Sequence, residues 1–76
     1  MDTIKLLDVV ALLEDVPADR LRRGEVGTVV EVFPEQPDLP GAFLIEFSGD
    51  DGVAYAFSAL RPDQLMKLHF RKDEAA

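Results

Sequence analysis

A chain of 76 residues has room for one domain, and its 47% apolar content, with five Phe, supplies a core and excludes a disordered segment. The absence of cysteine excludes disulfides and thiolate metal sites and points to a cytoplasmic home. The formal net charge of −7 opposes a nucleic-acid ligand, and no apolar run nears the roughly 20 residues of a membrane-spanning helix.

Met1-Asp2-Thr3 is acidic and polar, unlike the basic start of a secretion signal. The segment from Ile4 to Leu13 supports two readings. Ile4, Leu7 and Ala11 could share a helical face, whereas Val9-Val10 suits a buried strand. The β character of the remaining chain favours a strand over about Asp8 to Leu13, with room for a helical turn before it. Glu14 to Arg23 is a loop: Val16-Pro17 is extended, Asp19 and Gly24 supply turn chemistry, and Leu21 is the side chain expected to tuck into the core.

Gly24 to Phe33 is the clearest strand, dominated by β-branched residues. Unbroken alternation places Val26, Thr28, Val30 and Val32 on one face and Val29 with Phe33 on the other. Gly27 is expected to mark a bulge or a close backbone approach. Pro34, Pro37 and Pro40-Gly41 then form a rigid exposed loop.

Ala42 to Ser48 is the next strand, with Phe43, Ile45 and Phe47 on one face and Leu44 and Glu46 on the other. Gly49-Asp50-Asp51-Gly52 signals a hairpin, and Val53, Tyr55 and Phe57 alternate with Ala54 and Ala56 on the returning strand. Tyr55 is expected in the core or half-buried. Arg61-Pro62-Asp63-Gln64-Leu65 forms a single helical turn with Pro62 early in it. A short final strand alternates Met66, Leu68 and Phe70 with Lys67, His69 and Arg71, and residues 73–76 form a frayed tail. The expected core includes Val26, Val30, Phe43, Ile45, Phe47 and Leu65.

About five antiparallel strands, a long first loop, a central hairpin and one short helical turn predict a mainly β domain over residues 1–76. That order is the SH3-like arrangement, a small barrel in which closure of the sheet removes exposed edges. The block Leu21-Arg22-Arg23-Gly24-Glu25-Val26-Gly27-Thr28-Val29-Val30-Glu31-Val32, together with Ile45-Glu46-Phe47 and Asp51-Gly52, resembles the DUF4926 family of small bacterial proteins, a domain of unknown function. The resemblance runs from about Val9 to Leu65. Its first block is also similar to the Gly-x-x-Gly-x-Val turn and strand of KOW-type barrels. The resemblance implies an SH3-like fold without assigned catalytic residues. Some small bacterial proteins of this kind resemble antitoxin or immunity partners of a neighbouring toxin.

The residues themselves argue against an enzyme. Ser48 and Ser58 have no base at a recognisable spacing, and a lone His69 between Lys67 and Arg71 reads as a surface residue and a poor general base. Glu46 with Asp50-Asp51 lacks the spacing of a calcium loop, and turn chemistry already accounts for Asp-Asp-Gly. Gly24-x-x-Gly27 opens a strand and is not followed by Lys-Ser/Thr, so it is not a P-loop. No catalytic residue, cofactor or metal site is therefore expected. An eukaryotic-type reader of proline-rich peptides would need a groove of exposed aromatics, and the chain has no Trp and one Tyr.

Charge distribution supplies the candidate surface. From Arg23 to Arg61 no Lys or Arg intervenes, while the same stretch carries Glu31, Glu35, Asp38, Glu46, Asp50 and Asp51. These six are the candidate contact residues for a basic protein partner, which they would attract over a distance. Their alternative role is a solvated surface that keeps the chain soluble. Arg20, Arg22 and Arg23, with Tyr55 as a stacking ring, are the candidate contacts for the competing nucleic-acid reading. An accessory domain of a larger assembly is the third reading.

Overall fold

The β-branched density between residues 24 and 33 produces the longest strand of the fold. In the computed structural model, which describes residues 3–69, this strand is β2 (Val26–Phe33). It lies in one sheet with β1 (Val9–Leu12), β3 (Ala42–Ser48), β4 (Ala54–Leu60) and β5 (Leu65–Lys67). Every ladder is antiparallel, in the spatial order β4-β3-β2-β1-β5. The mainly β architecture follows the sequence expectation. The helical content of the described residues is two 3-10 turns, Pro17–Asp19 and Pro62–Gln64, where one turn was expected.

The ambiguous N-terminal run is a strand. A tight turn precedes it: Asp8 N–H donates to Lys5 O, Lys5 N–H donates to the Asp8 carboxylate, and Leu7 takes a left-handed backbone with φ of 71°. The loop after β1 folds back at Val16 and Leu21, whose backbones exchange two hydrogen bonds. That clamp drives Leu21 into the core as expected, where it is 2% exposed. Val10, Leu12, Val29, Ile45, Phe47, Leu60 and Leu65 complete the buried cluster, and Phe43 packs partly buried against it. The β3–β4 hairpin turns through Gly52, at a φ of 78°, with Val53 N–H capped by the Asp51 carboxylate. Positive φ is unstrained for glycine, which suits the predicted Asp-Gly turn.

Two core placements fail, Val26 and Val30, each for a local reason. Val26 is 46% exposed and outside the core, because β2 has the opposite parity to the one expected. Gly27 points inward instead: a Cβ built there would lie 2.5 Å from Ile45 Cγ2 and 2.7 Å from the Glu46 carbonyl oxygen. Val29 follows Gly27 on the inward face and is fully buried. Gly27 is thus a close approach, and the bulge falls at Val30, where the register to β3 shifts between Val29 and Glu31. Val30 is consequently only half-buried.

The final strand also departs from its predicted pattern. β5 ends at Lys67, so His69 lies beyond it on an exposed stretch, while Phe70 and Arg71 and the 73–76 tail lie outside the described residues. Leu65 and Lys67 share the face of their partners Leu12 and Val10, and Met66 points outward opposite Ala11. Lys67 tolerates its half-buried position because Nζ lies 3.2 Å from the Asp8 carboxylate and donates to Thr3 O.

The burial pattern sets the expected response to truncation. Phe47→Ala empties a fully buried site and should cost about 2–5 kcal/mol, whereas Val26→Ala should stay within about 0.5 kcal/mol of wild type, both measured by urea unfolding. Gly27→Ala should cost about 1–3 kcal/mol in the same assay, since a backbone carbonyl cannot step aside for the new methyl group.

Candidate functional site

Pairing across β2, β3 and β4 assembles two outward rows of side chains. Thr28 lies opposite Glu46, which lies opposite Phe57; Glu31 lies opposite Leu44, which lies opposite Ala59. The alternate row Val29, Ile45 and Ser58 is buried, so these rows form the solvent face. Phe57 is 54% exposed there, and Leu44 and Glu46 are half-buried. Neither Glu31 nor Glu46 takes part in a salt bridge among the described residues. Glu31 and Glu46 are diagonal neighbours on adjacent strands, a relation that sets residue positions about 7–8 Å apart.

The other four candidate acids lie off this face. Glu35 and Asp38 belong to the exposed β2–β3 loop, where Gln36 and Leu39 exchange two backbone hydrogen bonds. Asp50 and Asp51 occupy the β3–β4 turn, and Asp51 serves as its cap. Those loops flank opposite ends of a seven-residue β3, roughly 20 Å apart at the rise of a strand. The six acids therefore divide into a central pair and two end pairs. No group of three or more acidic or histidine side chains able to hold a metal ion occurs among the described residues, and Glu46 does not join Asp50 and Asp51 in one.

Arg20, Arg22 and Arg23 lie in the β1–β2 loop, all exposed and none in a salt bridge among the described residues. Tyr55 stands beside this loop and is 55% exposed, contrary to the expected core or half-buried position. It is the extra residue where the β3–β4 register shifts, which turns its ring to the rim of the sheet at a 6.4 Å centroid distance from Phe47. Its hydroxyl donates to Glu25 at 2.6 Å, and the other Glu25 oxygen accepts from Arg22 N–H at 2.6 Å. Glu25 thus staples the end of the β1–β2 loop to β4. The sequence contained both residues but no signal that would join them across 30 positions.

An apolar groove of about 380 Å³ opens elsewhere, between the N-terminal segment and β5, lined by Ile4, Phe43, Pro62, Leu65 and Met66. Its one cation, Lys67, is committed to Asp8. The Asp8 carboxyl is held below its usual pKa, first by the Lys5 N–H and further by Lys67.

The Glu25–Tyr55 contact has a titration signature. The Tyr55 phenol donates to a carboxylate, which lowers the Glu25 pKa below 4.5 and raises that of Tyr55 above 10.0. The depressed acid contributes stability that is lost as pH falls through its folded pKa. The raised phenol contributes stability that is present below 10.0 and lost as pH rises through its folded value. Tyr55 is the sole Tyr and the chain has no Trp, so ultraviolet absorbance reports this group alone. The titration midpoint should lie above 10.0 in the wild type and move down in Glu25→Gln.

No curated protein and no solved structure matches this chain. Among the described residues, no helix is long and apolar enough to cross a membrane. A family model described as a domain of unknown function, DUF4926, matches residues 6–67, which span every strand of the sheet. The chain belongs to the DUF4926 family.

Proposed function

We propose that this chain is a non-catalytic protein–protein interaction module of the cytoplasm whose outward β2–β4 face receives a basic partner. The observation that carries the reading is the pair of carboxylates, Glu31 and Glu46, set around Leu44, Phe57 and Ala59 without salt-bridge partners among the described residues. Apolar contact at Leu44 and Phe57 would hold the complex, while the carboxylates select cationic side chains at the rim. Acids at both ends of β3 extend the negative field beyond the contact and would speed encounter. In its narrowest form the module is an antitoxin or immunity protein that masks a basic surface of a toxin. A net charge of −7 has the sign that such masking requires.

The competing reading is nucleic-acid binding through Arg20, Arg22 and Arg23, with the exposed Tyr55 ring beside them. Stacking would need the Tyr55 ring, which already contacts Phe47, and Glu25 adds a negative charge at the same place.

Charge reversal separates these readings. With a partner recovered from the native host, Glu31→Lys with Glu46→Lys should slow association about tenfold, and added salt should slow the wild type. Thermal unfolding should change little, since exposed charges contribute little to stability. An unchanged, salt-independent association rate would remove the acidic face from the interface. Salt-sensitive binding of an oligonucleotide, lost on Arg20, Arg22 and Arg23 substitution, would favour the competing reading.

A further inference from the structure

The two edges of the sheet differ in kind. β5 has three residues and carries Lys67, the sort of short, charged edge that resists pairing with another chain. β4 has seven residues, and Gly52 to Leu60 contains neither a charge nor a proline in a chain that is 30% charged. Among the described residues, β3 is the only strand that pairs with β4. The 3-10 turn Pro17–Asp19 approaches β4 through its side chains: Asp19 accepts from Ser58 Oγ, and Ser58 sits on the core-facing row opposite Ile45. No backbone hydrogen bond joins that turn to β4. The free edge therefore offers a row of unpaired N–H and C=O groups beside exposed Val53, Tyr55 and Phe57.

We propose that the β4 edge is a homodimer interface, pairing antiparallel with β4 of a second copy about a two-fold axis at Phe57. By residue count an axis there sets Ala54 opposite Leu60 of the partner copy, with the Tyr55 bulge inside the overlap, and places the two Phe57 rings side by side. Complementary charges at the two ends of β4, Arg61 at one and Asp50-Asp51 at the other, favour this occupant. Two chains of net charge −7 repel, and Gly52 to Leu60 lets them meet without opposing like charges along the strands. The same antiparallel register carries Arg61 of each copy to the Asp50-Asp51 turn of the other. Arg61 is the first cation after Arg23, and its side chain is 53% exposed. Its existing partner, Asp63, is 70% exposed, and so open a pair yields readily to a second carboxylate. Phe57 also belongs to the proposed partner face, but self-association needs this chain alone and is measured without a partner.

Sedimentation equilibrium of the isolated chain tests the pairing. Between about 10 µM and about 500 µM, the range in which small interfaces associate, the mass should rise from 8.4 kDa towards twice that value. Phe57→Lys sets two lysines against each other on the axis and should leave a folded monomer, as judged by circular dichroism and thermal melting. Ala59→Lys, also on the exposed face, is the second variant should Phe57→Lys fold poorly. Arg61→Glu should weaken dimerisation roughly tenfold, and adding Asp50→Lys should restore it, because the charges are exchanged across the axis. A monomer throughout the range overturns the proposal. So does a dimer that survives both lysine variants, or one whose loss in Arg61→Glu is not recovered by Asp50→Lys.

Discussion

Only a glycine fits at position 27, and the arrangement of the sheet depends on it. The space beside its Cα is filled by Ile45 Cγ2, by the Glu46 carbonyl oxygen and by the Phe47 ring. A side chain there would press β2 away from β3 and strain the ladder. With Gly27 inward, the period of two sends Val29 inward and Val26 and Thr28 outward. Val29, Ile45 and Phe47 then meet in a fully buried cluster, and Thr28 joins Glu46 and Phe57 outside.

The register shift at Val30 completes the outer face. Had alternation continued from Val29, Glu31 would share the buried side, where an uncompensated carboxylate is costly. The extra residue reverses the parity, so Glu31 stands outward opposite Leu44, and Val32 lies opposite Phe43. One local irregularity thus removes a charge from the core and sets it beside Glu46. The candidate face is a product of sheet geometry, because its two carboxylates are 15 positions apart along the chain.

β4 connects the remaining features. Its inward row closes the core through Ser58 and Leu60, and Ser58 is satisfied by Asp19 from the first 3-10 turn. Its outward row supplies Phe57 and Ala59 to the acidic face, and Tyr55 ties it to the β1–β2 loop through Glu25. Pairing at its free edge would extend the sheet and bring two acidic faces side by side. A small chain with a limited core uses each side of one strand for a different contact.

Much of the architecture was legible because it depends on local chemistry. Asp51-Gly52 names its turn through positive φ, Pro62 opens a 3-10 turn, and the alternation of Phe43, Ile45 and Phe47 gives β3 the correct inward face. Leu21 was identifiable as the one large apolar side chain between turn residues. The acidic stretch was equally plain as composition, although its division into a central pair and two distant end pairs was not. The parity of β2 escaped because Val26, Val29, Val30 and Val32 suit either face, and only contact with β3 rejects a side chain at position 27. Burial of Lys67 over Met66 required Asp8 beneath it, and exposure of Tyr55 required the β3–β4 register shift. The sequence by itself determined the strands and turns, since these follow from backbone preference and local period. Tertiary structure decided which face each strand presents and which charges stand together, because those depend on space and partners supplied by residues far away in the chain.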